Sequence, residues 1–238
     1  MRAGAAGPIE PGSLRTFLGR LVAGVPQRLR GWWLVLACLL VALLFRLLIA
    51  ESFVIPSASM QPGLEPGDRV FVTKLRSNPP RRGDVVVFDG STTFGALPRP
   101  DGLPGLVAGL ADLLAGRPNS SDYVKRVIGV GGDRVTCCTS TGQLSINGQP
   151  LAEPYLYPGD RPSELRFDII VPPGRLWLMG DHRSDSADSR SHLGGPGGGT
   201  VAVGDVVGPV SFRFWPLDRL GGVASGDASL AAQPGRRG

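Results

Sequence analysis

At 238 residues the chain exceeds the roughly 150 that serve as a prior for one domain, so one well-cored domain with appendages is the economical reading. Glycine (35) and proline (22) make up about a quarter of it, which argues against a helical bundle or coiled coil, while 42% hydrophobic and 19% charged residues argue against a wholly disordered chain. The net charge of +5 comes from dispersed arginines rather than one basic face with interleaved aromatics, so no nucleic-acid partner is expected.

Residues 1–30 form a basic tail in which Arg2, Arg15, Arg20, Arg28 and Arg30 face a single acid, Glu10. Residues 31–50 then read GWWLVLACLLVALLFRLLIA, twenty residues with one charge. At about 1.5 Å per residue they span about 30 Å, the hydrocarbon thickness of a bilayer. This predicts a transmembrane helix, with a buried core helix as the competing reading. A removable signal peptide would end at a small-residue cleavage site, whereas Glu51 to Pro56 follow here. Arg46 is near enough to the far end to snorkel, and Trp32 and Trp33 suit the opposite interface. The charge asymmetry keeps the N-terminus cytoplasmic and puts residues 51–238 outside. The protein is thus expected in the cell membrane, crossing once, with the lipid bilayer as a partner.

Beyond the span the predicted elements are strands. Asp68 to Leu75, Gly83 to Phe88, Tyr123 to Val130, Phe167 to Val171, Leu176 to Met179 and Asp205 to Phe214 are β-branched runs bounded by turn residues. Asn147-Gly148 between Gln143 and Leu151 is a type I′ hairpin signal, because both residues accept positive φ. The fold class expected is mainly β: one N-terminal transmembrane helix, then an antiparallel β-sheet domain over 51–216. Two segments are set apart from it. Residues 89–121 read as a flexible Gly/Pro-rich insertion whose apolar stretch, Leu103 to Leu114, suggests a surface helix, and residues 217–238 read as a disordered tail. Cys38 lies in the span. Cys137 and Cys138 are adjacent, with Cα atoms about 3.8 Å apart in a trans peptide, so no disulfide framework can be read, though a strained vicinal bridge stays open.

Three segments could carry chemistry. Pro56-Ser57-Ala58-Ser59-Met60-Gln61-Pro62 is either a turn or a nucleophile loop close to the membrane. Lys125 is either a solvated strand charge or a base: the chain has two lysines, Lys74 and Lys125, against 23 arginines, and arginine cannot lose its proton. No obvious acid stands opposite Lys125, and desolvation would depress its pKa. Gly180 to Arg190 is either a solvated loop or a cation loop, but Asp181, Asp185 and Asp188 miss the EF-hand spacing. Two histidines, His182 and His192, rule out a His-rich metal site and make a Ser-His-Asp triad improbable.

Together, Pro56 to Pro62 close behind the span, Arg82-Gly83-Asp84 through Phe88, Asp122 to Gly129 with Gly132-Asp133, and Met179-Gly180-Asp181 through Ser186-Ala187-Asp188-Ser189-Arg190 resemble the type I signal peptidases. These are membrane-anchored serine proteases that remove signal peptides from exported proteins. The chain departs from the family at His182 and Asp185, where asparagine is usual. The resemblance implies Ser59 as nucleophile and Lys125 as general base, with Ser57 and the Ser59 N–H forming the oxyanion hole. It further implies that Ser186 orients the lysine and that Asp188 and Arg190 fix the loop. Substrate would lie beside Phe53, Ile55, Pro56, Met60 and Val124, in shallow pockets that favour Ala-x-Ala. No metal or cofactor is implied. The partners implied are signal peptides of exported preproteins and, by proximity, the secretion translocon. The competing readings are a membrane-tethered β-rich binding module and a self-cleaving repressor-type protease with a Ser-Lys pair.

Overall fold

The computed structural model describes residues 27–48, 50–74, 79–95 and 121–223. The basic tail before residue 27, insertion residues 96–120 with their apolar stretch, and the tail from residue 224 lie outside the described residues. The chain divides into two units, residues 1–47 and 48–238.

The first unit contributes helix α1, Gln27–Leu48, 22 residues rich in the strong helix formers leucine and alanine. It begins ahead of the expected Gly31 and stops short of Ala50. The reason lies in the next element: Ala50–Val54 forms strand β1, paired antiparallel with β2 (Arg69–Thr73), so that Ala50 faces Thr73 and Val54 faces Arg69. Among the described residues no helix is long and apolar enough to cross a membrane, the described side chains of α1 being those of residues 31–41. Of these, Trp32, Trp33, Leu36 and Leu40 are exposed.

The second unit is mainly β, as expected. After β2 come β3 (Val85–Asp89), β4 (Asp122–Val130), β5 (Arg134–Cys137), β6 (Leu144–Ile146), β7 (Gln149–Pro150), β8 (Phe167–Ile170), β9 (Arg175–Met179), β10 (Val201–Ala202), β11 (Val206–Trp215) and β12 (Gly221–Gly222). The larger sheet runs β1-β2-β11-β3-β4-β9-β10, with β12 on β11, and a smaller sheet runs β7-β6-β5-β8. All pairings are antiparallel. Strand β11 pairs with both β3 and β2 through register shifts. A Cβ on its Gly208 would meet the Thr73 carbonyl oxygen at 2.2 Å, so only glycine lets the strand pass there. The Asn147-Gly148 hairpin forms as expected, with φ of 52° and 81°.

Three buried clusters hold these layers together. Phe53, Ile55, Met60, Leu64, Val70, Val72, Val85 and Val87 pack under β1 and β2. Val86, Phe88, Val127, Leu176 and Leu178 fill the other part of the large sheet. Val135, Leu144, Ile146 and Phe167 of the small sheet close on Trp177 and Met179 of β9.

Several expectations need correction. Residues 217–223 are not a disordered tail: Gly221 and Gly222 pair with Arg213 and Phe212, and Arg219 reaches Glu65 and Asp68 at 2.9 and 3.1 Å. The start of the insertion, residues 89–95, is ordered because Phe94 packs edge-on against Phe88 and Tyr123 and also against His192. Cys137 and Cys138 form a vicinal disulfide across a cis peptide, with Cα atoms 3.0 Å apart, closer than the trans spacing assumed from sequence.

Candidate active site

The chain enters the site from β1. The Ile55 N–H donates to the Asp68 carbonyl and the Gly67 N–H to the Ile55 carbonyl, at 2.8 and 2.9 Å, which closes residues 56–66 into a loop over the end of the β1–β2 hairpin. Buried Asp68 ties the foot of that loop, accepting from the Glu65 N–H at 2.9 Å, Arg219 at 3.1 Å and Arg213 at 3.4 Å. Within the loop the Leu64 N–H donates to the Met60 carbonyl at 2.9 Å. Proline-bounded and internally bonded, the loop holds Ser57 and Ser59 in one orientation.

Strand β4 brings Lys125 to this loop. Lys125 lies opposite Val86 in β3 and is 4% exposed, and its Nζ is 2.6 Å from Ser59 Oγ. Burial pulls its pKa down to about 8, while the charges of Asp188 and Asp181 pull the other way. Those two acids correct the expectation that none stands near the lysine. The Ser57 and Ser59 hydroxyls are 3.3 Å apart, so both oxygens lie on one side of the site.

The loop after β9 packs against Ser59 from behind. The His182 N–H donates to the Ser59 carbonyl at 3.1 Å. A Cβ on Gly180 would meet that same carbonyl oxygen at 2.5 Å and Ser186 Oγ at 2.3 Å, so the approach requires glycine. Ser186 Oγ donates to Asp188 at 2.8 Å, and among the described residues the hydrogen bond of Lys125 runs to Ser59 rather than Ser186. Asp188 also accepts from the Gly180 N–H at 3.0 Å and from both Nε and Nη2 of Arg190, at 2.9 and 2.8 Å. Burial would raise the Asp188 pKa, but these bonds outweigh it and hold the carboxyl below its ordinary value.

Phe53, Ile55 and Met60 are buried in one apolar cluster with half-buried Val124 beside them, while Pro56 is exposed. Leu64 belongs to the same cluster and escaped the sequence reading. So did a second ion pair. Arg126 donates through Nε and Nη2 to Asp181, at 2.7 and 2.6 Å, and through Nη1 to the Gly83 carbonyl at 2.8 Å, with its guanidinium over the Tyr155 ring. Burial pushes the Asp181 carboxyl up despite this partner. Arg82 meets Asp133 through Nε at 2.7 Å. The signal that Arg126 needs a partner, though not which one, was an arginine within the largely apolar strand β4, which cannot stay buried without a counter-charge.

The four sequence segments thus converge on one hydroxyl beside one buried amine. The family described as signal peptidase, peptidase S26, matches residues 29–215. A probable signal peptidase I of Mycobacterium leprae is 36% identical over 84% of this chain and 82% of its own length. Signal peptidase I of Mycobacterium tuberculosis strain H37Rv is 37% identical over 80% and 74%. That of Bacillus caldolyticus is 33% identical over 82% of this chain and 94% of its own. By family match and by identity over most of its length, the chain belongs to the signal peptidase family, peptidase S26, whose members are serine endopeptidases.

Proposed function

We propose that the protein is a membrane-bound endopeptidase that removes N-terminal signal peptides from exported preproteins, cutting after small residues of Ala-x-Ala type with Ser59 and Lys125 as a catalytic pair. The observation that carries this reading is the 2.6 Å approach of a buried, pKa-depressed lysine amine to a serine hydroxyl. A serine hydroxyl becomes nucleophilic only when a neighbour takes its proton, and a neutral amine can do so where an ammonium cannot. Ser59 Oγ attacks the scissile carbonyl, and its proton passes to Lys125 Nζ. The carbonyl oxygen, now negative, is met by the Ser57 hydroxyl and the Ser59 N–H. The protonated lysine then returns the proton to the departing amine, and a second passage with water releases the acyl group. No cofactor or metal enters these steps.

Substrate main chain lies beside Phe53 to Pro56. Strand β1 favours this because, among the described residues, its neighbour in the sheet is β2 alone, which leaves its other edge to pair with an extended peptide. The walls supplied by Ile55, Met60 and Val124 are already packed against one another, which leaves room for small side chains only. Ser186 acts on the lysine through Asp188, to which its hydroxyl donates, and Asp188 with Arg190 fixes the loop after β9. Helix α1, with apolar side chains exposed along residues 31–41, is satisfied by lipid rather than water. The basic tail anchors its cytoplasmic side, and the β domain works outside, near the translocon.

The test is cleavage of a preprotein bearing an Ala-x-Ala site by detergent-solubilised full-length protein. Wild type should cut it at that site and Ser59→Ala should not. Processing undiminished in Ser59→Ala would overturn the reading.

A further inference from the structure

The segment between β7 and β8 has no part in the chemistry above, yet its side chains grip the outside of the loop that holds Ser59. The Tyr157 N–H donates to the Asp181 carbonyl at 3.1 Å, and the Tyr157 ring stacks on the His182 ring with centroids 3.9 Å apart and planes 14° apart. Three residues on, Asp160 accepts from Ser184 Oγ at 2.8 Å and from the Ser184 N–H at 3.1 Å. Four residues before Tyr157, buried Glu153 pairs with buried Arg183, and Arg183 Nε donates to the Gly180 carbonyl at 2.9 Å. Residues 153–160 therefore hold residues 180–184 at successive points along their length.

Of these points, His182 is hydrogen-bonded to Ser59 itself, its N–H donating to the Ser59 carbonyl. That bond fixes the peptide following Ser59, and with it the direction of the Ser59 side chain toward Lys125. What holds His182 is its ring. Its Nδ1 is buried and has no hydrogen-bond partner among the described residues, so that nitrogen does not hold the ring; the Tyr157 stack does, with the Asp160 charge nearby.

We propose that Tyr157 is a positioning residue for catalysis: its ring, stacked on His182, clamps the loop whose main chain aims Ser59 at Lys125. This rests on the Ser59–Lys125 reading above. A loosened clamp lets Ser59 Oγ drift from the amine and admits water to Lys125. The charged groups felt by the lysine are Asp188, Asp181, Arg190 and Asp185, all on the clamped loop.

Preprotein cleavage by full-length protein in detergent, with kcat and KM measured across a pH series, tests this. Tyr157→Ser should lower kcat about tenfold with KM little changed, since small misplacements of reacting groups are costly. The midpoint of its rate–pH profile should move to higher pH as Lys125 becomes hydrated. Tyr157→Phe keeps the ring and should restore both. Adding His182→Ala to Tyr157→Ser should cost nothing further, because the stack is already gone. A folded Tyr157→Ser with wild-type kcat and midpoint overturns the proposal, as does an equal loss in Tyr157→Phe or additive losses in the double variant. If Tyr157→Ser does not fold, the same kcat and midpoint comparison on His182→Ala decides it. Ser59→Ala and Lys125→Arg run alongside: both inactive with Tyr157→Ser unaffected sinks the clamp alone, whereas activity in either sinks the pair itself.

Discussion

Ser57 and Lys125 differ in how much of their role a sequence can carry. The lysine stood out because a chain with 23 arginines keeps only two lysines, and the structure pairs the other, Lys74, with Glu51 at 2.6 Å on the partly exposed surface. On the proposed mechanism Lys125 must act as an uncharged base, which arginine could not do, and burial supplies the depressed pKa. Ser57 was legible only through its spacing from Ser59. If its hydroxyl donates to the oxyanion, Ser57→Ala should lower kcat by about 10²-fold, roughly 2.7 kcal/mol, with KM little changed. Steady-state kinetics on a signal-peptide substrate would show it, and an unchanged kcat would return Ser57 to the role of a turn residue. Arg126 and Asp181 could not be paired from sequence at all, since 55 positions separate them and nothing in either local pattern names the other.

At the scale of elements, strands with a clear β-branched run were legible to within a few residues, as were the Asn-Gly hairpin and its register. Strand β1 was not, because Ala50-Glu51-Ser52-Phe53-Val54 holds no β-branched run and is a strand only by virtue of pairing with β2. Strand β5 was hidden between two turns, and residues 217–223 look like tail because the Arg219 ion pairs are distant in sequence and the pairing strand is only Gly221-Gly222. Arg219 reaches across about 150 residues to Asp68 and Glu65, under the nucleophile loop. Removing it leaves buried Asp68 with fewer partners, for a cost of about 1–3 kcal/mol. Arg219→Ala should therefore lower the melting temperature by several degrees and make residues 56–68 more susceptible to proteolysis. A melting temperature equal to that of wild type would mean that Arg213 and the Glu65 N–H suffice for Asp68.

For the molecule as a whole, the proposed orientation rests on the charge asymmetry about residues 31–50 and not on the fold of the β domain. Protease added outside intact spheroplasts should digest the domain beyond residue 51 and spare the basic tail. Protection of the domain would reverse the proposed topology while leaving the site intact. The site itself draws on every layer of the β unit: the nucleophile loop on β1 and β2, the lysine on β4, the carboxylates after β9, and a clamp from the smaller sheet's connection. The measurement that bears most directly on all of this is kcat/KM against pH for wild type beside Lys125→Arg. In wild type the neutral amine gains population as pH rises through about 8, so the rate should climb across that range and be lost below it. Lys125→Arg stays protonated and cannot become a neutral base, so it should be as inactive as Ser59→Ala at every pH while remaining folded by circular dichroism. A folded Lys125→Arg enzyme with near-normal turnover, or a wild-type rate flat through pH 8, would contradict the account.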